Sequence, residues 1–164
     1  MNYSSQYVQR LAGKLHQMDA RFNNLQNRWG CLFFTCISIA NDNRSAPATY
    51  KECEAIYQRA ENEGAIKGKV FVQSTSHVIN IALDELGLWP RYEAIELYRE
   101  SDGDIQRITN SDANTTDLIL ELNVTTAGGH FVHADLDETI VYDPSPDLAL
   151  GDIRSRRFIA VVPQ

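Results

Sequence analysis

Residues 128–144 read GGHFVHADLDETIVYDP and have the pattern of a β-hairpin. Two runs rich in Val, Ile, Phe and Tyr flank a short polar segment, which is typical of antiparallel strands joined by a turn. A two-residue turn at Leu136-Asp137 predicts the register of the hairpin. The pairs of facing residues would be Asp135 with Glu138, Val132 with Val141, and His130 with Asp143.

The predicted pairing of His130 with Asp143 has a chemical consequence. Directly opposed side chains in an antiparallel pair lie about 4.5–5.5 Å apart at Cβ. The carboxylate of Asp143 is therefore expected to accept a hydrogen bond from one imidazole nitrogen of His130, which leaves the other nitrogen available. Pro144 cannot donate to a ladder and ends the second strand directly after Asp143.

The rest of the C-terminal half continues the strand pattern. Short runs of β-branched and aromatic residues alternate with turn residues such as Ser101-Asp102-Gly103. The further predicted strands are Ala94–Tyr98, Ile105–Ile108, Leu118–Val124 and Phe158–Val162. The arrangement indicates an antiparallel sheet.

Before Trp89-Pro90 the pattern is helical. Helices are predicted from Ser5 to about Arg21, from Cys31 to about Ala40, after Thr49 to about Glu63, and from Ser76 to Leu86. Thr49 and Glu52 have the spacing of a capping box. Helices followed by antiparallel strands define an α+β fold in which N-terminal helices pack on a C-terminal sheet.

The length of 164 residues predicts a single domain over 1–164. Its parts would be an N-terminal helical extension at 1–22, a helical part at 23–89 and an antiparallel sheet at 90–164. The net charge of −7 argues against a nucleic-acid or membrane partner. No signal-peptide pattern occurs, so a cytoplasmic protein is expected, although export by another route or association with a virion would leave no trace in the sequence.

The three cysteines, Cys31, Cys36 and Cys53, have neither a disulfide pattern nor the close pairing of a zinc site. Cys36 lies within an apolar run and is expected in the core, whereas Cys53 is expected to be semi-exposed. Cys31 follows Gly30 at the predicted first turn of a buried helix. There the helix macrodipole and unpaired N–H groups stabilise a thiolate, although a small core residue is the alternative interpretation.

A catalytic thiolate also requires a base and donors for an oxyanion. His130 would act as the base and Asp143 would orient it. Gln26, in the polar segment before the helix, and the backbone N–H of Cys31 would be the oxyanion donors. This set predicts a thiol hydrolase.

A metal or cofactor site is not expected. His130, His133 and Asp135 form a candidate metal cluster, but strand alternation places His130 on one face of the sheet and the other two residues on the opposite face. The sequence lacks the glycine-rich loops that bind phosphate or dinucleotides.

The motifs Gln26…Cys31, Gly129-His130-Phe131-Val132 and Asp143-Pro144 resemble the papain-like cysteine peptidases. Their order looks closest to the branch of bacteriocin-processing, double-glycine-leader peptidases, and in particular to small standalone bacterial and phage proteins of this type. The resemblance implies a papain-like fold, a triad of Cys31, His130 and Asp143, and Gln26 as the oxyanion donor. The chain differs beside the nucleophile, where family members usually have Asp before and Gly after the cysteine.

Two functions follow from these observations. The first is hydrolysis of an amide bond by a peptidase, amidase or deamidase acting on a peptide, a protein or a peptidoglycan peptide. The second is a catalytically inactive papain-like module that serves as a binding or structural component, for example in a virion or another assembly.

Overall fold

The computed structural model describes residues 21, 23, 30–68, 70–98, 114–124, 128–145 and 157–164. Over these ranges three helices precede a five-stranded antiparallel sheet, which confirms the predicted α+β class. Several predicted features lie outside the described residues: the helix from Ser5, the oxyanion donor Gln26, and the strand Ile105–Ile108.

The helices are α1 (Cys31–Asn41), α2 (Tyr50–Asn62) and α3 (Thr75–Glu85), and each begins within one residue of its predicted start. A small hairpin of β1 (Ile66–Lys67) and β2 (Phe71–Val72) connects α2 to α3. The longest of the described helices has 13 residues, and none of them has the length and apolar character needed to cross a membrane.

Local sequence signals determine where α2 begins. The Thr49 hydroxyl accepts the backbone N–H of Glu52 at 3.2 Å, and the Glu52 carboxylate accepts the backbone N–H of Thr49 at 3.0 Å. Arg44 also donates to both oxygens of Glu52, at 2.6 and 2.8 Å. These bonds, with that from Arg44 the strongest, lower the pKa of Glu52 to about 2. The predicted capping box is therefore present and is reinforced by an ion pair.

The sheet contains β3 (Tyr92–Tyr98), β4 (Asp117–Val124), β5 (Gly128–Ala134), β6 (Ile140–Tyr142) and β7 (Arg157–Pro163). Its strand order is β3-β7-β4-β5-β6, so the C-terminal strand inserts between β3 and β4. All neighbouring strands are antiparallel.

Helix α1 lies at the centre of the packing, in contact with α3 and with β5. Its residues 33–41 are all buried, which explains why its sequence is apolar on every side. Helix α3 packs between α2 and β3, and the Asn80 side chain bonds both backbone groups of Tyr92 at 2.9–3.0 Å. Hydrogen bonds as well as packing therefore join α3 to the sheet.

The prediction that Cys53 is semi-exposed is wrong. Its side chain is 2% exposed, because Cys53 shares the inner face of α2 with Ile56, Tyr57 and Ala60 at helical spacing. Burial raises the pKa of Cys53 to about 12, and it also raises the pKa of the buried Cys36. Cys31, in contrast, is partly exposed.

The predicted hairpin register is also wrong. Residues 135–139 form a longer loop, in which Glu138 adopts a left-handed φ of 65°. The observed pairs are His133 with Tyr142 and Ala134 with Ile140, so Val141 is the extra residue of a β-bulge. Leu136-Asp137 lacks the preferred residues of a two-residue turn, and the chain adopts the longer loop instead.

Candidate active site

Cys31 is the first residue of α1 and follows Gly30 at the N-cap position. Among the described residues, no side chain accepts a hydrogen bond from the N–H groups at this helix end. Such N–H groups attract anions and can donate to an oxyanion. Cys31 therefore occupies a position in which a thiolate and a tetrahedral intermediate could both be stabilised.

His130 and Asp143 form a buried pair, 3% and 1% exposed. The His130 Nε2 and Asp143 Oδ1 atoms lie 2.7 Å apart, although the two residues are not directly opposed. Continuing the register past the His133–Tyr142 pair puts Asp143 across from Val132, so it reaches His130 diagonally. The predicted contact forms despite the wrong register, because residues two apart on a strand share one face.

Ser145 is a further part of the site that the sequence argument missed. Its backbone N–H donates to Asp143 Oδ1 at 2.8 Å, and this bond helps to fix the carboxylate that binds His130. Asp side chains often accept the N–H two residues on in turns, so the Asp143-Pro144-Ser145 segment contains the signal for this contact.

Electrostatics favour a protonated imidazole at His130. Burial lowers the pKa of His130. Hydrogen bonds with Asp143 and Cys31, together with the negative charges of these groups, raise it by a larger amount, so the pKa is about 9. Because Nε2 binds Asp143, the Nδ1 atom is the ring nitrogen available to the Cys31 sulfur. At neutral pH the ring of His130 is therefore protonated, and it can donate to the Asp143 carboxylate from Nε2 and to the Cys31 sulfur from Nδ1.

Thr35 connects the helix of Cys31 to the strand of His130. Its hydroxyl lies 2.8 Å from the carbonyl oxygen of Cys31 and 3.2 Å from that of Phe131, on β5. A hydroxyl has one hydrogen, so the two carbonyls share this donor. Thr35 was not singled out in the sequence, although a Thr inside an apolar helix commonly bonds the carbonyl four residues before it.

We expect Thr35→Val to lower the free energy of unfolding by about 1 kcal/mol, the contribution of a typical hydrogen bond. Valine has nearly the same shape but cannot donate to either carbonyl. Urea unfolding would measure the loss, and Thr35→Ser, which keeps the hydroxyl, serves as the control. A negligible loss for Thr35→Val together with a clear loss for Thr35→Ser would show that packing of the methyl group matters rather than the hydrogen bond.

A second buried cluster surrounds His133. The His133 Nδ1 atom lies 2.9 Å from the Ser38 hydroxyl, and Nε2 lies 2.7 Å from Asp117 Oδ1. The connectivity matches that of a Ser-His-Asp triad, but Ser38 is 2% and His133 is 0% exposed, so a substrate has no access. The cluster instead connects α1, β5 and β4 in the interior.

The same cluster contains the residues that could hold a metal ion. Asp42, Asp117 and His133 each offer one ligand atom, and these atoms all lie within 4.8 Å of one another. The His133 Nε2 atom lies 2.7 Å from Asp117 Oδ1 and 3.8 Å from Asp42 Oδ2, so the ring is next to both carboxylates. The other candidate metal cluster, His130 with His133 and Asp135, is not brought together at one site. His130 bonds Asp143, whereas His133 bonds Asp117.

The structure thus brings three of the four predicted site residues together: Cys31 from α1, His130 from β5, and Asp143 directly after β6. Gln26 lies outside the described residues. Comparisons of the chain with family models, with curated proteins and with solved structures found no match.

Proposed function

We propose that this protein is a cysteine hydrolase that cleaves an amide bond and has a papain-like arrangement of its helices and sheet. Cys31 is the nucleophile, His130 is the general acid and base, and Asp143 orients His130. The observation that carries the proposal is that one buried imidazole interacts with both a carboxylate and a cysteine at a helix N-terminus.

The arrangement supports thiol chemistry for three physical reasons. The first turn of α1 stabilises negative charge on the sulfur of Cys31. The raised pKa of His130 favours a proton on the ring at neutral pH, so the ring can act as an acid toward a leaving group. The 2.7 Å bond to Asp143 holds the ring in one orientation and stabilises its positive charge.

A reaction sequence follows from these roles. The Cys31 thiolate attacks the amide carbon, and the backbone N–H of Cys31 helps to stabilise the resulting oxyanion. Protonated His130 then donates its proton to the departing amine, which leaves a thioester on Cys31. Neutral His130 accepts a proton from water as the water attacks this thioester, and the acid product leaves. On the resemblance to papain-like peptidases, Gln26 is the second oxyanion donor.

The substrate class is a peptide, a protein or a peptidoglycan peptide, and the enzyme would be a peptidase or a related amidase or deamidase. A non-catalytic binding or structural module is the second candidate. The burial of His130 and Asp143 favours it, because a structural ion pair would be equally buried. The reactivity of Cys31 distinguishes the two functions.

The test is the pH dependence of iodoacetamide alkylation, measured for each cysteine by mass spectrometry. We expect Cys31 to be labelled rapidly below pH 8 in the wild-type protein, and this reactivity to be lost in His130→Ala. Cys36 and Cys53 are internal controls, because both are buried and should remain unlabelled while the protein is folded.

His130→Gln, which fills more of the buried space, is measured in parallel, with circular dichroism to verify that each variant is folded. Slow labelling of Cys31 with an ordinary thiol pH profile, unchanged in both variants, would contradict the hydrolase and support the binding module.

A further inference from the structure

A polar stripe runs along one face of α1 and ends at its C-cap. It consists of the candidate nucleophile and three polar residues that follow it at spacings of four, three and four: Cys31, Thr35, Ser38 and Asp42. Residues at these spacings lie on one side of a helix, because a turn takes 3.6 residues. The other residues of α1 are apolar except for Asn41 at its end. The polar stripe is therefore able to form directional bonds along the length of the helix.

The first two members of the polar stripe contact β5. Cys31 bonds the His130 side chain, and the Thr35 hydroxyl lies 3.2 Å from the carbonyl oxygen of Phe131, the next residue of the strand. The same hydroxyl lies 2.8 Å from the carbonyl oxygen of Cys31. Thr35 thus connects the backbone of the nucleophile with the backbone beside the base.

The other two members lie beside His133, which is also on β5. The Ser38 hydroxyl and the His133 Nδ1 atom are hydrogen bonded at 2.9 Å. The His133 Nε2 atom lies 2.7 Å from Asp117 Oδ1, on β4, and 3.8 Å from Asp42 Oδ2. The ring is therefore held at both nitrogen atoms, and Ser38 bonds a partner whose orientation the neighbouring strand fixes.

The contacts at the two histidines are spaced alike on the helix and on the strand. Ser38 lies seven residues beyond Cys31, which is about 10.5 Å along a helix. His133 lies three residues beyond His130, which is about 10 Å along a strand. Both contacts therefore form together at one register of α1 along β5, and a displacement of the helix would break both.

Hydrogen bonds define this register more sharply than apolar packing does. Hydrophobic attraction has no preferred direction, whereas a hydrogen bond weakens steeply when its distance or angle changes. Thr35 and His133 are 0% exposed and Ser38 is 2% exposed. Water cannot replace a partner that such buried groups lose, so these bonds resist a shift of the helix.

We infer that Thr35 and Ser38 are positioning residues for the proposed reaction. Their bonds to β5 hold α1 at the register in which the Cys31 sulfur meets His130, and they act on the reaction through the geometry of that pair. The inference rests on the proposed function. A misplacement of about 1 Å in a reacting group can lower a rate about a hundredfold, so even a small shift of α1 has a measurable effect.

The test is the pH profile of iodoacetamide labelling of Cys31 in Ser38→Ala and in Thr35→Val. Each variant removes a hydrogen bond to β5 and leaves the three proposed catalytic residues in place. We expect labelling at pH 6.5 to be about tenfold slower than in the wild type, because the sulfur is displaced from His130. At pH 10 the rates should be equal, because an accessible thiol is then largely ionised without a partner. Circular dichroism verifies that each variant is folded.

Asn80→Ala is the matched control. It removes the side chain with which α3 bonds the first residue of β3, so it lowers stability without changing the polar stripe, and its profile should be that of the wild type. A wild-type profile in both Ser38→Ala and Thr35→Val, or an equal slowing in Asn80→Ala, would overturn the inference while leaving the hydrolase intact. If labelling of Cys31 in the wild-type background does not depend on His130, the proposed function itself fails.

Discussion

Asp143→Asn is expected to lower the pKa of His130, which is about 9 in the wild type, by about 1 to 3. Asparagine preserves the shape of the side chain and an acceptor for the Ser145 N–H, but it removes the negative charge that stabilises the imidazolium. Burial, which lowers the pKa of His130, then has less to oppose it. An NMR titration of the His130 ring measures the change directly.

The same substitution should change how stability depends on pH. The folded pKa of about 9 lies above 6.5, the ordinary value for histidine, so protonation of His130 stabilises the folded state. This contribution, up to about 3 kcal/mol, is fully present below pH 6.5 and is lost as the pH rises to 9. Asp143→Asn should therefore destabilise the protein most at low pH, and the difference should narrow toward pH 9.

A matched substitution elsewhere in the hairpin is the control for these measurements. Asp137→Asn removes the same charge from the hairpin loop and should leave the titration of His130 unchanged. If the pKa of His130 remains near 9 in Asp143→Asn, the carboxylate is not what holds the proton on the ring.

His133→Leu should lower the free energy of unfolding by about 3–5 kcal/mol. Leucine cannot bond either Ser38 or Asp117, and Asp117 would remain buried after losing this partner. Removing the hydrogen-bond partner of a buried carboxylate costs more than the bond itself contributes, because the carboxylate stays in a low-dielectric interior. Urea unfolding followed by circular dichroism gives the free energy.

A double variant distinguishes the stability lost with the His133–Asp117 hydrogen bond from the stability lost with side-chain packing. His133→Leu combined with Asp117→Leu should recover about half or more of the loss, because the carboxylate that bonds His133 at 2.7 Å is then removed as well. His77→Leu, at an exposed ion pair, should change stability by less than about 1 kcal/mol. A loss of this small size for His133→Leu would mean that the cluster does not hold α1 and β5 together.

Local sequence determined a large part of this fold. The capping box of Thr49 and Glu52, the apolar run after Gly30 and the change to strands after Pro90 each act over a few neighbouring residues, so they could be recognised without a structure. The contact of His130 with Asp143 could also be predicted from local sequence. Both lie on one short hairpin, and any register near the predicted one keeps them close.

Tertiary structure alone decided the rest. The burial of Cys53 and the bond between Ser38 and His133 depend on how α1 and α2 pack against their neighbours. Ser38 and His133 are 95 residues apart in the chain, and no local pattern encodes a contact of that range. Side-chain packing selects such contacts because buried polar groups must find partners, and those partners exist only once the helices cover the sheet.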